Sequence, residues 1–384
     1  MNDAFSIIRC DTYNDFDVAS ALERALGQID GLRDVRKGMR VVIKPNLVLP
    51  RRPEACATTH PQILKALTEM LISKGAEVII GDSPGGPFSE FWLSAVYEGT
   101  HITGLTKYGA KLNYDTGVER ISFPGGRTLK GADVAEFILN ADAVISAAKL
   151  KTHTFMQFSG AVKNLFGAIP GTVKAEYHQL YHETDKFADM LVDLAELIKP
   201  QISIIDAVTG MEGNGPNGGK PRQAGAIIAS KNPHTADLAG SWLIGIDPFE
   251  VPTLKRAIER GLCPASVEDV LPRIGELDGL RVTDFKKPDT AFGQRALGIN
   301  MNSAIMKRIF RCDPEANESV CAGCGECKSA CPPKAIEIKN GFPRFDRKKC
   351  IRCFCCQELC PQNAIYIKRT RIAEFLQKAA QKHG

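Results

Sequence analysis

Eight of the thirteen cysteines fall in two matched runs near the C-terminus. The first is Cys321, Cys324, Cys327 and Cys331, followed by Pro332; the second is Cys350, Cys353, Cys356 and Cys360, followed by Pro361. Both read C-x-x-C-x-x-C-x-x-x-C-P, the run by which bacterial proteins seat paired 4Fe–4S clusters. Three closely spaced thiolates on one loop can wrap three corners of an iron–sulfur cube, and the fourth cysteine of each run serves the other cluster. The expected ligand sets are therefore Cys321, Cys324, Cys327 and Cys360 for one cluster, and Cys350, Cys353, Cys356 and Cys331 for the second. Each proline turns the chain away after the crossed ligand and has no amide hydrogen to leave unpaired.

An internal repeat agrees with this pairing. A shift of 29 residues superposes all four cysteines of one run on the other, and also Pro332 on Pro361, Ala335 on Ala364, Ile336 on Ile365 and Ile338 on Ile367. Two half-units, each a cysteine loop, a short helix and a short strand, suit a pseudo-twofold α+β domain of the bacterial ferredoxin kind. Two zinc sites or disulfides are the alternatives. Zinc ribbons use C-x-x-C pairs set farther apart, and disulfides need an oxidising compartment. Cys355 departs from the pattern by standing beside Cys356. It reads as a spare small apolar residue near the cluster, or as a ligand exchanged after oxidation. Cys10, Cys56, Cys263 and Cys312 have no comparable spacing and read as core or surface thiols.

The 384 residues allow two domains, and 44% hydrophobic with 24% charged residues is ordinary for a folded soluble chain. A net charge of +5 over this length gives no argument for nucleic acid. The first thirty residues lack an apolar signal core, and no stretch reaches the roughly 18–20 apolar residues of a membrane span. A cytoplasmic protein without membrane attachment is expected, where reduced thiols suit cluster assembly.

Before the cysteines, apolar β-branched runs alternate with helix-like segments. Strands are expected at 41–43, 78–80, 143–145, 202–205 and 226–228, and helices at 61–74, 187–199 and 237–244. The alternation predicts an α/β domain with a mainly parallel sheet. In such sheets ligands sit beyond the carboxyl ends of the strands, and polar residues follow each run. Lys44 and Asn46 follow the first, and Asp82 and Ser83 the second. Lys149, Lys151, His153, Lys163 and Asn164 follow the third, and Asp206 and Glu212 the fourth. Ammonium groups beside amide donors suit an anionic small molecule. The three carboxylates could instead hold a metal or act as acid or base, and any one of these residues could be a solvated loop position.

Two nucleotide motifs fail. Gly213, Gly215 and Gly218 spell G-x-G-x-x-G, but Pro216 and Pro221 interrupt the helix that a dinucleotide site needs. Gly219-Lys220 lacks both the first glycine of a P-loop and its Ser or Thr. His178 and His182 lie four apart but form no HExxH, and read as structural or surface residues.

The strings Lys44-Pro45-Asn46, Gly81-Asp82-Ser83, Lys149 to His153, Gly160 to Asn164 and Gly210 to Gly213 resemble the family called domain of unknown function 362, over about residues 5 to 250. Members often carry a C-terminal ferredoxin domain. The resemblance implies an architecture and cluster ligands but no substrate. The domains expected are an α/β domain over 1–285, a helical linker over 286–311, a two-cluster ferredoxin domain over 312–369 and a helical tail over 370–384.

The function expected is electron transport by an iron–sulfur oxidoreductase, with two 4Fe–4S clusters relaying electrons to or from an anionic molecule on the α/β domain. The alternatives are a carrier whose α/β domain only docks partners, and a non-redox enzyme with structural or oxygen-sensing clusters. Residues 312–369 hold ten Lys or Arg against seven Asp or Glu, which points to an acidic redox partner protein.

Overall fold

The computed structural model describes residues 4–270, 277, 279–291 and 309–374. Its N-terminal unit is built on one eight-stranded sheet. The strands are β1 (Phe5–Arg9), β2 (Arg40–Pro45), β3 (Glu77–Ile80), β4 (Lys111–Leu112), β7 (Ala143–His153), β8 (Gln157–Ser159), β9 (Ile202–Glu212) and β10 (Lys220–Ser230). A separate hairpin pairs β5 (Val118–Ser122) with β6 (Gly131–Ala135). The order across the sheet is β1-β10-β9-β7-β2-β3-β4, with β8 folded back on β7. The centre, from β9 to β4, is parallel, while at the edge β10 runs antiparallel to both its neighbours, β9 and β1. This is the α/β unit with a mainly parallel sheet.

Helices cover both faces and bury the continuous apolar strands between them, as parallel sheets require. Helix Pro61–Ser73 begins as its sequence signals. His60 caps it by accepting the Gln62 N–H, and Pro61 takes the first turn, where no amide partner is lost. Thr184–Ile198 and Pro233–Leu243 match the other expected helices, each starting a few residues earlier.

Two expected loops are strand. β7 continues past Ile145 for eight more residues, so Lys149, Lys151 and His153 lie on a central strand that is buried throughout. β9 likewise carries Asp206 and Gly210 to Glu212. Charged residues inside a central strand run against the usual pattern, and they persist because the fold supplies each with partners. Period-two geometry puts Lys149, Lys151 and His153 on one face of the sheet, with Lys149 in register with Asp206.

The C-terminal unit repeats itself at the backbone level. Strands β11 (Cys312–Ala316) and β13 (Phe342–Phe345) correspond under the 29-residue shift, as do β12 (Ile336–Lys339) and β14 (Ile365–Arg369). So do helices Glu326–Ser329 and Cys355–Glu358. Positive φ recurs at the same offsets, in Gly323 and Arg352, Gly325 and Phe354, and Lys334 and Asn363. Each half gives a strand to the other, because β11 pairs with β14 and β12 with β13.

Of the helical linker expected over 286–311, positions 292–308 lie outside the described residues, and Asp289–Ala291 forms one 3-10 turn. Of the tail over 370–384, residues 371–374 are helical and 375–384 lie outside them.

The two units pack closely. Arg51 donates to the Cys360 carbonyl (3.0 Å) and to Asn363 Oδ1 (3.0 Å), and Asn217 Nδ2 donates to the Glu358 carbonyl (3.1 Å). Gln357 donates to the Asn214 carbonyl (3.3 Å) and accepts from Thr154 Oγ1 (3.2 Å). The glycine-rich segment after β9 is thus a hairpin tip that grips the helix Cys355–Glu358. Gly85 packs at the same seam, where a Cβ would lie 2.3 Å from Leu359 Cδ2 and push that side chain aside.

Candidate functional site

The cysteines surround two small voids. One is lined by Cys321, Cys324, Cys327 and Cys360, the other by Cys331, Cys350, Cys353 and Cys356. The packing therefore brings the fourth cysteine of each run to the three of the other. Among the described residues no three His, Cys, Asp or Glu side chains converge tightly enough for a single metal ion. The sulfurs stand around a space instead, which is what a cube with four corner irons needs. Two amides are aimed at the crossed sulfurs: Ala335 N–H donates to Cys331 Sγ (3.2 Å) and Ala364 N–H to Cys360 Sγ (3.2 Å). Such hydrogen bonds favour a thiolate and are one means by which a protein sets a cluster's potential.

A larger cavity, of about 880 Å³, opens between the units. Asn46, Asp82, Ser83, Lys163 and Asn164 line its α/β side, and Cys324, Glu326, Cys355 and Glu358 its ferredoxin side. Lys163 and Asn164 sit on the short helix Ala161–Asn164, whose first amides are capped by the buried Asp237 carboxylate (Ala161 N, 2.5 Å; Val162 N, 3.2 Å). Burial pushes the Asp237 carboxyl up to about 7, against those two amides.

Most of the expected lysines do not present their charge to the cavity. Lys44 is fully buried and pairs with Asp82 Oδ1 at 2.7 Å, while Asp82 Oδ2 accepts the Leu47 N–H (2.8 Å). Burial lowers the Lys44 ammonium, and Asp82 offsets this. The chain passes so close over this pair that a Cβ on Gly167 would lie 2.1 Å from Asp82 Oδ1, which only glycine avoids. Lys151 Nζ donates to Asn46 Oδ1 (2.6 Å) and to the Ala57 carbonyl (2.7 Å). Burial brings it down to about 7. Lys44 and Lys151 thus act by orienting amides. Asn164 Oδ1 accepts from Lys44 Nζ and Asn46 Nδ2 (3.3 Å each), and its own Nδ2 is held by Ser146 and the Lys44 carbonyl.

Four expected residues belong elsewhere. Lys149 and Asp206 form a fully buried pair (2.9 Å) closed by Tyr13, whose hydroxyl donates to Asp206 (2.7 Å) and accepts from Lys149 (2.8 Å). The His60 amide also donates to Asp206, and its ring stacks on Tyr13 at 3.6 Å. Glu212 accepts the Lys286 amide (3.0 Å). His153 stands behind Glu358. Its Nδ1 accepts from the amides of Phe155 and Met156, so its proton is on Nε2, which lies 3.9 Å from Glu358 Oε2 without a hydrogen-bond partner. Burial, with Lys163 and Lys151 nearby, keeps this imidazole neutral.

Two cavity residues escape a sequence reading. Lys174 donates to the carbonyls of Ser83 (2.8 Å) and Ile169 (2.6 Å) and to Ser83 Oγ (3.2 Å), tying the Ser83 loop to the helix Val173–Leu180. Burial brings it down to about 7. His178 is buried against Phe187, with ring centroids 4.4 Å apart, and lines the cavity, so it is not a surface residue. His182, four residues on, is exposed and does not join it. No motif marks Lys174; the signal for His178 was only its spacing from His182.

The model of the family described as domain of unknown function (DUF362) matches residues 41–242. The chain belongs to the DUF362 family. A 4Fe-4S dicluster domain model matches residues 313–361, so the C-terminal unit of this DUF362 protein is a 4Fe–4S binding domain with an iron–sulfur electron-transfer role. A thylakoid-associated protein of Synechocystis sp. is 30% identical over 292 residues, 74% of this chain and 87% of that relative. Two solved structures are similar to part of this chain. They are the lactate racemase apoprotein from Thermoanaerobacterium thermosaccharolyticum (15% identity, 61% of this chain and 55% of that one, TM-score 0.40) and a protein from Thermotoga maritima (14%, 53% and 52%, TM-score 0.33). The chain spans about half the length of each. Likenesses this distant carry nothing about chemistry. Among the described residues no helix is long and apolar enough to cross a membrane.

Proposed function

We propose that this chain is a cytoplasmic iron–sulfur oxidoreductase. In this reading two 4Fe–4S clusters pass single electrons between a redox partner protein and an anionic small molecule held in the cavity between the units. One observation carries the reading. The wall that bears Asn46, Lys163 and Asn164 faces Cys324, a cluster-run cysteine, and Cys355, the neighbour of another, across the same cavity. A molecule bound there stands against a cluster ligand.

Cys321, Cys324, Cys327 and Cys360 would hold one cluster and Cys331, Cys350, Cys353 and Cys356 the other. Bound clusters would supply one-electron transfer; the chain's own residues do the rest. Arg51 and Asn217 fix the ferredoxin helix against the α/β loops. Apolar walls from Trp92, Phe166 and Leu359 exclude water from the ligand. Lys163 and the oriented Asn46 amide supply donors. Glu358, on the ferredoxin side and beside His153, can hold or release a proton where an electron arrives.

The test starts from protein purified without air and reduced with dithionite. Small molecules released from a heated portion of the same preparation are added back, and low-temperature electron paramagnetic resonance follows the clusters. Re-oxidation of the clusters in the wild type, and its loss when Ala175→Trp fills the cavity, is the expected result. Re-oxidation that is the same in both proteins would place the reaction outside the cavity and remove the proposal.

A further inference from the structure

Three groups at the cavity wall have hydrogen-bonding capacity that the protein leaves unused. Lys163 is half-buried, and its ammonium makes no hydrogen bond or ion pair among the described residues; it lies 5.6 Å from the centroid of the Phe166 ring. His178 stands edge-on to that same ring, with centroids 5.7 Å apart. It is 4% exposed, and its Nδ1 has no partner. Asn46 has its amide direction set by Lys151, which takes Oδ1, so Nδ2 points the other way. That nitrogen spends one hydrogen on Asn164 and keeps one. A cation and a neutral ring thus meet around Phe166, and an amide donor stands on the same cavity wall.

The charge around them is limited. Arg51, Lys163 and Lys174 line the cavity against Asp82, Glu326 and Glu358, and buried Lys44 neutralises Asp82. Arg51 donates to the Cys360 carbonyl and Lys174 to four backbone and hydroxyl oxygens, and the carboxylates of Glu326 and Glu358 on the same wall offset their two charges. Thiolate-held clusters would add negative charge at the Cys324 side. An occupant with one negative charge is matched by Lys163. A phosphate ester or diphosphate would bury charge without a counterion, which is costly. The remaining wall is apolar and aromatic. Trp92 has already given its indole N–H to the Gly85 carbonyl (2.6 Å), so it offers only its ring face, and Phe91 stands 85% exposed at the rim.

Resting on the cavity reading above, we propose that the occupant is an aromatic monocarboxylate. Its carboxylate is held by Lys163, Asn46 and His178, and its ring system lies against Trp92 and Phe91. His178 contributes direction without charge, since a neutral imidazole gives one donor.

The test is anaerobic titration calorimetry on the iron-loaded full chain with three probes of one shape: 2-naphthoate, 2-naphthyl phosphate and 2-naphthamide. Naphthoate is expected to bind about tenfold or more tightly than either other probe, the scale of one charge-assisted hydrogen bond. Lys163→Met should remove that margin, leave naphthamide within about twofold, and leave iron content unchanged. Naphthyl phosphate binding as tightly as naphthoate, or naphthoate indifferent to Lys163→Met, overturns the assignment while the cavity reading stands. If no probe binds, or Ala175→Trp leaves their binding intact, the cavity is not their site and both readings fall together.

Discussion

Crossed ligation can be separated from two independent four-cysteine loops by which pairs of substitutions add. Cys327 and Cys360 border one void, and Cys331 and Cys356 the other. With two cubes of four irons, losing one corner ligand should cost one cube, about half of the iron. Cys331→Ala and Cys356→Ala damage the same cube if the voids are the sites, so the double variant should retain about half of the iron. Cys331→Ala with Cys327→Ala damages both cubes and should retain close to none. Independent loops reverse the result, since Cys327 and Cys331 would then share a cube while Cys331 and Cys356 would not. Iron and acid-labile sulfide per chain, measured without air after reconstitution, read the difference directly. Electron paramagnetic resonance of the reduced half-loaded variant should show a simpler signal, with no second cluster to couple to. About half of the iron in Cys327→Ala with Cys331→Ala, and almost none in Cys331→Ala with Cys356→Ala, would refute the crossed sets despite the packing. The amides of Ala335 and Ala364 would then point at sulfurs with no shared geometry to explain them.

Two further predictions concern the α/β side. Asp82→Asn leaves Lys44 buried at 0% side-chain exposure without a counterion. It should destabilise by about 3–5 kcal/mol, a fall in Tm of roughly 6–20 °C for a unit of this size, whereas Lys44→Met with Asp82→Leu should recover most of the loss. Thermal unfolding checks both, and a single variant within about 1 kcal/mol of wild type would mean that water reaches the pair. The second concerns pH. Lys151 and Lys174 are each brought down to about 7 from the ordinary 10.5, so between those values the unfolded chain holds protons that the folded chain does not. Their contribution to stability should therefore be flat below about pH 7 and rise with pH towards 10.5. Urea unfolding across that range should show a slope that shrinks in Lys151→Met and again in Lys174→Met; an unchanged slope would mean that these ammonium groups stay charged through the range.

The grouping of the cysteines around two voids was legible because their geometry is local. Three of the four cysteines at each void sit on one loop, and the fourth is given by a repeat that aligns residue by residue. Helix Pro61–Ser73 was legible for a similar reason, since its cap and first turn are written in consecutive residues. The lysines were legible as chemistry but not as roles. Sequence shows Lys44, Lys149 and Lys151 following apolar runs; only tertiary pairing shows that Asp82 and Asp206 neutralise the first two and that Asn46 takes the third. The same pairing explains why β7 and β9 run on through polar residues that a pattern reading assigns to loops. A buried ammonium breaks a strand pattern only until oxygen partners from neighbouring segments satisfy it.

Lys174 and His178 illustrate the opposite limit. Both lie in an ordinary amphipathic stretch, and they reach the cavity because Gly171 lets the chain turn tightly under the loop of Ser83 to Gly86, where a Cβ would lie 2.7 Å from the Phe88 amide nitrogen. Cys355 is similar. Beside Cys356 it looks redundant, yet docking of the ferredoxin helix turns it to the cavity while its neighbours turn to the second cysteine-lined void. What joins these residues is a seam between two units that are far apart in the chain. A property of that seam, such as which charges remain unspent, arises only once both sides are present. Lys163 therefore matters more than its lysine-rich surroundings suggest, because the other cationic groups at or behind the wall already have oxygen partners.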